Sequence, residues 1–156
     1  MSRNKAWIIT VPLIVLLGFA SGWLSNSGYG NAWFDALAKP AFMPPGWAFP
    51  LAWTTLYILM GVAVAQVIAS DGEGRRPALL LFAMQLVLNL AWSPVFFGLH
   101  QARAGLAIIA VLTIAVAITI LLFARVRRSA APLMLPYLAW LIFATALNLA
   151  IVRLNG

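Results

Sequence analysis

Five long apolar segments, separated by short connections, constrain this chain more than any other feature of its sequence. They run over 7–24, 47–69, 77–99, 104–124 and 131–152. A helix needs about 20 mostly apolar residues to cross the hydrocarbon core of a bilayer. Helices are favoured there because a helix satisfies its own backbone hydrogen bonds in the absence of water. The sequence therefore predicts an all-α membrane protein, a single bundle of five transmembrane helices over 1–156.

Composition supports a lipid environment and excludes several classes of function. Hydrophobic residues make up 64% of the chain and charged residues 8%, whereas soluble domains carry about 25% charged residues. The net charge is +7, but the cations are scattered through short connections and form no continuous face, so we exclude nucleic acid as a partner. There is no cysteine and only one histidine, so the sequence predicts no metal site and no thiolate nucleophile.

Positive charge alternates between successive connections. The N-terminus and the second and fourth connections carry Arg3, Lys5, Arg75, Arg76, Arg125, Arg127 and Arg128, whereas the other end of the bundle would carry Lys39, Arg103 and Arg153. The positive-inside rule then predicts a cytoplasmic N-terminus and an external C-terminus. In a cell with two membranes it favours the inner membrane over the outer membrane. The first segment also resembles a secretory signal peptide, but its length favours a retained helix.

The first connection, over 25–46, is long and stiff. Pro40, Pro44 and Pro45 fix backbone angles and remove amide donors, so its second half cannot be helical. It leads directly into the aromatic start of the second segment. We expect this loop to cover a pocket, with Pro40, Phe42, Pro44 and Pro45 forming the cover.

Polar and aromatic side chains recur at helical spacing in the second, third and fifth segments. Polar groups in a membrane helix are costly unless paired, so they point inward or to a ligand. Flat rings with a few amides suit a large planar ligand. The predicted wall consists of Trp53, Tyr57, Gln85, Asn89, Trp92, Trp140 and Asn148, flanked by Tyr137. The alternative interpretation is structural, with amides joining helices and rings lying at the membrane interface.

Two further features bear on function. No ionisable acid, base or histidine lies within the segments before Arg153, which argues against proton-coupled transport and acid–base catalysis. The fourth segment is aliphatic apart from two threonines and is expected to face lipid most. Gly18 and Gly22 allow three interpretations: close helix approach, space for a ligand, or chance.

Several motifs together resemble those of the tryptophan-rich sensory protein and translocator protein family (TspO/MBR, peripheral-type benzodiazepine receptor), and the resemblance extends over nearly the whole chain. The motifs are Lys39-Pro40, Pro44-Pro45, Trp47-Ala48-Phe49-Pro50, Trp53-Thr54-Thr55-Leu56-Tyr57, Asn89-Leu90-Ala91-Trp92-Ser93-Pro94 and Pro136-Tyr137-Leu138-Ala139-Trp140.

The resemblance implies a homodimeric five-helix receptor or sensor that acts in tetrapyrrole homeostasis or stress regulation. Its ligands would be porphyrins such as protoporphyrin IX and haem, benzodiazepine-type molecules and, in some members, sterols, with no required cofactor. Trp53, Asn89 and Trp140 match family pocket residues, and Ala144 matches a position where substitution alters ligand binding. The alternatives are a light-dependent porphyrin-degrading enzyme, which would use Trp53 and Trp140, and a transporter of tetrapyrroles or sterols.

Two positions depart from the family pattern. Leu149 stands where the proposed sterol motif has tyrosine, which weakens the case for sterol recognition there. The loop reads Ala41-Phe42-Met43, where many bacterial members have a tryptophan pair, so loop contacts with a porphyrin are expected to differ.

Overall fold

The computed structural model describes residues 2–156, which form helices and connections without a strand. The elements are α1 (Arg3–Leu24), α2 (Ala32–Ala36), α3 (Ala48–Ile68), α4 (Arg75–Ser93) with a π-helical turn (Pro94–Gly98), α5 (Ala102–Val126) and α6 (Ala131–Asn155). Within 2–156, five helices are long and apolar enough to cross a membrane: α1, α3, α4 with its π-helical turn, α5 and α6. This confirms the predicted five-helix architecture.

The helices extend beyond most of the predicted segments. The first begins at Arg3 rather than residue 7, and the last ends at Asn155 rather than residue 152. Ser2 caps α1, because its side chain accepts a hydrogen bond from the Lys5 amide at 3.4 Å. The apolar run marks the part of a helix that lipid can cover, whereas the backbone continues as helix into polar residues.

The segment predicted as a loop over 25–46 contains α2. Asn31 caps this short helix by accepting a hydrogen bond from the Phe34 amide at 3.2 Å. The ring of Phe34 is buried beside those of Phe96 and Phe97. An apolar anchor and a capping side chain thus give the connection a defined structure.

The long helices close into a ring. Helix α3 packs against α1 and α6, α5 packs against α4 and α6, and α4 also contacts α1 and α3. At the α1–α3 contact, a Cβ at Gly61 would lie 2.6 Å from the Cα of Val11. Thr10 donates to the Gly61 carbonyl at 2.7 Å. The absence of a side chain at Gly61 therefore lets these two backbones approach closely.

The prediction that the fourth segment faces lipid most is wrong. Helix α5 has eight buried residues, whereas α1 has only three. The scarcity of polar residues misled the prediction, because apolar side chains are equally stable against lipid and against neighbouring helices.

The two ends of the bundle carry different groups. At one end, Ser2 and Asn4 share a cleft with Gln66 and Arg127. At the other end, the amide group of Asn155 exchanges two hydrogen bonds with the backbone of Ala38, both 2.9 Å long. The N-terminus and the α5–α6 connection therefore lie together, opposite the first connection and the end of α6.

Candidate functional site

A cavity of about 610 Å³ lies between the five long helices and below the first connection. Its lining is mostly apolar and aromatic, and α1 and α5 contribute to it as well as the three helices predicted from the sequence. The residues of the five long helices that line it are Gly18, Phe19, Ser21, Gly22, Trp23, Phe49, Pro50, Trp53, Tyr57, Asn89, Trp92, Ser93, Phe96, Phe97, Ile109, Leu112, Trp140, Leu141, Ala144, Leu147, Asn148 and Ile151.

Aromatic rings form a continuous part of the wall. Trp53 stacks on Tyr57 with ring centroids 5.4 Å apart and meets Trp140 edge-on at 6.4 Å. Phe49 contacts the ring of Trp140 at 5.9 Å. Such edge-to-face and offset pairs hold one another in place and leave flat faces available to a ligand.

A chain of buried hydrogen bonds supports this wall. Tyr57 donates to the Oδ1 of Asn89 at 2.9 Å, and the Nδ2 of Asn89 donates to the Tyr137 hydroxyl at 2.7 Å. That hydroxyl donates in turn to the Oε1 of Gln85 at 2.8 Å. The chain fixes the orientation of Asn89 at the cavity.

Gln85 and Tyr137 do not line the cavity, although the sequence analysis assigned them to its wall. Both side chains are fully buried behind Asn89. Gln85 shares a helix face with Asn89 but lies about 6 Å farther along the axis, beyond the cavity. Helical spacing predicts the side of a helix on which a residue lies, but it does not predict how far the cavity extends along the helix axis. This is why Gln85 was assigned to the wall together with Asn89.

The second amide of the wall is also held by the protein. The Trp92 indole donates to the Oδ1 of Asn148 at 3.1 Å, and the Nδ2 of Asn148 donates to the Ala102 carbonyl at 2.9 Å. The amides of Asn89 and Asn148 therefore join helices and line the cavity at once. The structural interpretation drawn from the sequence therefore applies to both amides, and their contact with a ligand stays a prediction.

Two buried side-chain atoms in residues 2–156 have no hydrogen-bond partner, the Oγ of Ser93 and the Nε1 of Trp140. Both residues line the cavity. Trp140 belongs to the set predicted from the sequence. Ser93 does not, although its position four residues after Asn89 placed it on the same face.

Ser21 is another lining residue that was not predicted from the sequence. Pro94 has no amide hydrogen, so it cannot donate to the Leu90 carbonyl as a helical residue would. Ser21 supplies that bond from α1, donating to the Leu90 carbonyl at 2.7 Å. The π-helical turn follows, with the Leu99 amide donating to the Pro94 carbonyl at 2.9 Å. A proline inside an apolar segment was the available signal, since it leaves a carbonyl that needs a donor.

The first connection covers the cavity, but not through the residues expected. Tyr29, Phe34, Met43 and Gly46 line it, together with 26–28. The predicted cover residues Pro40, Phe42, Pro44 and Pro45 do not.

The predicted cover residues have other roles. Phe42 is half exposed and packs against the ring of Phe143 at 6.1 Å. The Pro40 and Pro45 carbonyls accept turn hydrogen bonds, from the amides of Met43 at 3.1 Å and Ala48 at 3.0 Å. The prolines therefore shape the backbone and turn other side chains toward the cavity.

Several contacts hold this cover down. Lys39 donates to the carbonyls of Phe34 at 2.7 Å and Leu37 at 3.0 Å, at the end of α2. The ring of Trp33 lies parallel to that of His100, 4.9 Å away. With the Asn155 bonds to Ala38, these contacts join the cover to the third connection and to the end of α6.

The glycines of α1 provide space for side chains. A Cβ at Gly18 would overlap the ring of Tyr57, and one at Gly22 would lie 2.9 Å from the Oγ of Ser27. Both glycines line the cavity. At both positions a protein side chain fills the space, so room for a ligand stays a prediction, whereas the close approach of two helix backbones occurs at Gly61.

The comparisons with known proteins agree with this architecture. The model of the TspO/MBR family matches residues 9–154. The chain belongs to the TspO/MBR family. Its relatives include tryptophan-rich protein TspO of Chlorobaculum tepidum, which is 40% identical over 149 residues, covering 94% of each chain. The tryptophan-rich sensory protein of Cereibacter sphaeroides is 44% identical, covering 80% of this chain and 78% of that protein.

Similarity extends to animal members of the TspO/MBR family. The human translocator protein is 38% identical over 131 residues, covering 82% of this chain and 78% of its own. Membership of the family and five membrane-crossing helices identify an integral, multi-pass membrane protein.

Proposed function

We propose that this chain is a membrane receptor or sensor that binds porphyrins, such as protoporphyrin IX and haem, and other planar hydrophobic ligands in the cavity. The proposal rests on one observation: a cavity of about 610 Å³ lined by the contacting rings of Trp53, Tyr57 and Trp140. Small-molecule sites in proteins occupy about 300–1,000 Å³ and combine apolar walls with a few polar groups. A role in tetrapyrrole homeostasis or stress regulation follows from such a ligand, and one relative carries the name sensory protein.

The chemistry of the lining favours binding over catalysis. Among the described residues, those that line the cavity include no Asp, Glu, Lys, Arg or His. General acid–base catalysis needs such groups within hydrogen-bond reach of the substrate. Stacking and burial of apolar area are the interactions that this lining offers, and both suit a large flat ring system.

The proposed orientation has a cytoplasmic N-terminus in the cell membrane. The ends of the bundle carry unequal numbers of cations, seven at the end that holds the N-terminus and the α5–α6 connection, and three, Lys39, Arg103 and Arg153, at the opposite end. The positive-inside rule assigns the more cationic end to the cytoplasm. The homodimer and the sterol or benzodiazepine-type ligands rest on the resemblance alone and stay predictions.

Titration with protoporphyrin IX in detergent tests the proposal. We expect the Trp53→Phe/Trp140→Phe double variant to bind about tenfold more weakly than wild type, because each aromatic contact is worth about 0.5–1.5 kcal/mol beyond its buried area. Porphyrin absorbance is the readout, so that removal of tryptophans leaves the signal intact.

The matched control is Trp7→Phe/Trp47→Phe, at two exposed positions that do not line the cavity. This pair should bind like wild type. Equal affinity of all three proteins, or equal loss in both double variants, would contradict the cavity as the porphyrin site.

A further inference from the structure

A second cleft lies at the end of the bundle opposite the cover, where the start of α1 meets the end of α3 and the α5–α6 connection. Its volume is about 400 Å³, and it shares no lining residue with the large cavity. The residues that line it are Ser2, Arg3, Asn4, Gln66, Ala69 and Arg127. Unlike the large cavity, this cleft is polar and brings two cations together.

The two arginines of the cleft have unused hydrogen-bond donors. The Nε of Arg127 donates to the Ser129 hydroxyl at 3.3 Å, and that hydroxyl donates to the Oε1 of Gln66. These bonds tie Arg127 to α3, but its two terminal amino groups have no hydrogen-bond partner within residues 2–156, and neither has the guanidinium of Arg3. By contrast, Arg75 at the same end donates to two backbone carbonyls around the end of α3, at 3.1 and 2.9 Å.

No Asp or Glu is found among the described residues that line the cleft. Asp71 and Glu73 belong to the α3–α4 connection at the same end of the bundle, but they do not line it. The first turn of α1, which begins at the cleft, also has no acidic residue. Two guanidinium groups without a lining counter-charge favour an anion, and a phosphate matches the paired donors of arginine.

The position of the cleft relative to the membrane indicates where that phosphate comes from. Trp7 lies four residues after Arg3, on the same face of α1 and about 6 Å farther along the axis. Both Trp7 and Ile8 are exposed at the surface of the bundle. Tryptophan is enriched at the level of lipid headgroups. An anion in the cleft is therefore at headgroup level, beside an apolar helix surface that acyl chains can cover.

We propose that this cleft binds the phosphate group of an anionic phospholipid. Arg3 and Arg127 donate to the phosphate oxygens from two sides, and an acyl chain follows α1 along Trp7 and Ile8. The bound headgroup thereby joins the first helix to the α5–α6 connection. Basic pockets between transmembrane helices bind anionic headgroups in other membrane proteins. This inference concerns a separate site and does not depend on porphyrin binding.

Competition between two lipids tests the inference. The protein in a neutral detergent is mixed with equal amounts of dioleoyl phosphatidylglycerol and dioleoyl phosphatidylcholine, and native mass spectrometry counts each lipid bound per chain. The acyl chains are identical, so the ratio of the two bound lipids reports on the headgroup. We expect wild type to prefer phosphatidylglycerol at one site. The preference should fall about fivefold for Arg3→Gln and about 25-fold for Arg3→Gln/Arg127→Gln, from the usual contribution of one basic residue at an anionic membrane surface.

Two variants provide matched controls. Arg125→Gln/Arg128→Gln removes the same charge from the same end, at exposed positions that do not line the cleft. It should change the preference by less than about threefold, because salt screens exposed charges at a distance. Arg3→Lys/Arg127→Lys keeps the charge but loses the paired donors, so its preference should lie between those of wild type and the glutamine pair.

Equal loss in the two glutamine pairs would overturn the inference, because the preference would then reflect only the net charge of this end. The absence of any preference in wild type would also overturn it. If millimolar inorganic phosphate displaces phosphatidylglycerol from wild type, the cleft takes a free anion and the lipid assignment is wrong. Melting temperatures without added lipid check that each variant is folded. Arg3→Gln breaks no hydrogen bond within residues 2–156, so it keeps the test valid if the double variant does not fold.

Discussion

At Gly18, a hydrogen atom stands where any other residue would place a carbon against the ring of Tyr57. That ring carries the hydroxyl that begins the buried chain through Asn89 to Tyr137. It also stacks on Trp53 at the cavity. One small residue on α1 thus governs both the polar support and the aromatic face of the wall. Its effect reaches α4 and α6 through the side chain of Tyr57.

We expect Gly18→Ala to destabilise the protein by about 1–3 kcal/mol, the usual cost of forcing extra volume into a packed site. Displacement of Tyr57 should also weaken porphyrin binding. Thermal unfolding in detergent measures the first effect and porphyrin titration the second. Gly98→Ala is the control, because nothing lies within 4 Å of the added carbon there. Equal stability of the two variants would show that Tyr57 can move aside freely.

Part of the site could be predicted from single residues and part could not. The spacing of Asn89 and Ser93, and of Trp140, Ala144 and Asn148, identified the helix faces that line the cavity. The spacing could not identify the partners of each amide, because Tyr137 and Trp92 reach them from other helices. Whether a polar group is free or engaged is a tertiary property, and this explains why Ser93 was not assigned to the wall.

At the scale of elements, α1 is joined to α4 by a direct hydrogen bond near the point where α4 passes into its π-helical turn. Pro94 removes one amide, and Ser21 of α1 replaces its hydrogen bond to the Leu90 carbonyl. The proline is visible in the sequence, but neither the π-helical turn nor the donor could be predicted from it, because Ser21 lies 69 residues from Leu90 in the chain. The five long helices could be predicted from the lengths of the apolar segments. Helix α2 could not, because it depends on the cap supplied by Asn31 and on the buried ring of Phe34.

A double-mutant cycle tests this replacement. Ser21→Ala should cost about 1–3 kcal/mol, since it leaves the Leu90 carbonyl buried without a donor. In a Pro94→Ala background, residue 94 regains an amide that can serve the same carbonyl, so Ser21→Ala should then cost clearly less. Thermal unfolding of the four proteins gives the coupling. Strictly additive effects would mean that the serine and the proline act independently.

At the scale of the whole molecule, the cover and the end of α6 form one unit. Asn155 exchanges two hydrogen bonds with Ala38, and Trp33 stacks on His100 of the third connection. Phe34 anchors the cover in a small apolar cluster with Phe96 and Phe97, whereas the bonds of Asn155 and the Trp33–His100 pair are polar or aromatic contacts at an exposed end. Contacts of that kind open at lower free energy than the core, so the cover is the part of the molecule most suited to admit a ligand.

We expect Asn155→Ala to speed both association and dissociation of protoporphyrin IX, by about three- to tenfold for the loss of this pair of exposed bonds. The equilibrium affinity should change little, because the cover has to open for a ligand to enter and to leave, so a larger open population raises both rates by the same factor. Stopped-flow absorbance measures the rates. Asn4→Ala, at the opposite end of the bundle, should leave them unchanged. Rates equal to wild type in Asn155→Ala would show that the cover is not the barrier.

The attachment of the cover to Asn155 also decides where probes can be placed. A tag or fluorescent protein fused directly after α6 would pull on the same residues that close the cavity, and could be mistaken for an effect of ligand. Helix α1 is about 33 Å long, given its 22 residues and the usual rise of 1.5 Å per residue. Its start therefore lies at the end of the bundle opposite the cover. A reporter joined there leaves the cover untouched, and a small dye near residue 155 becomes a direct sensor of opening.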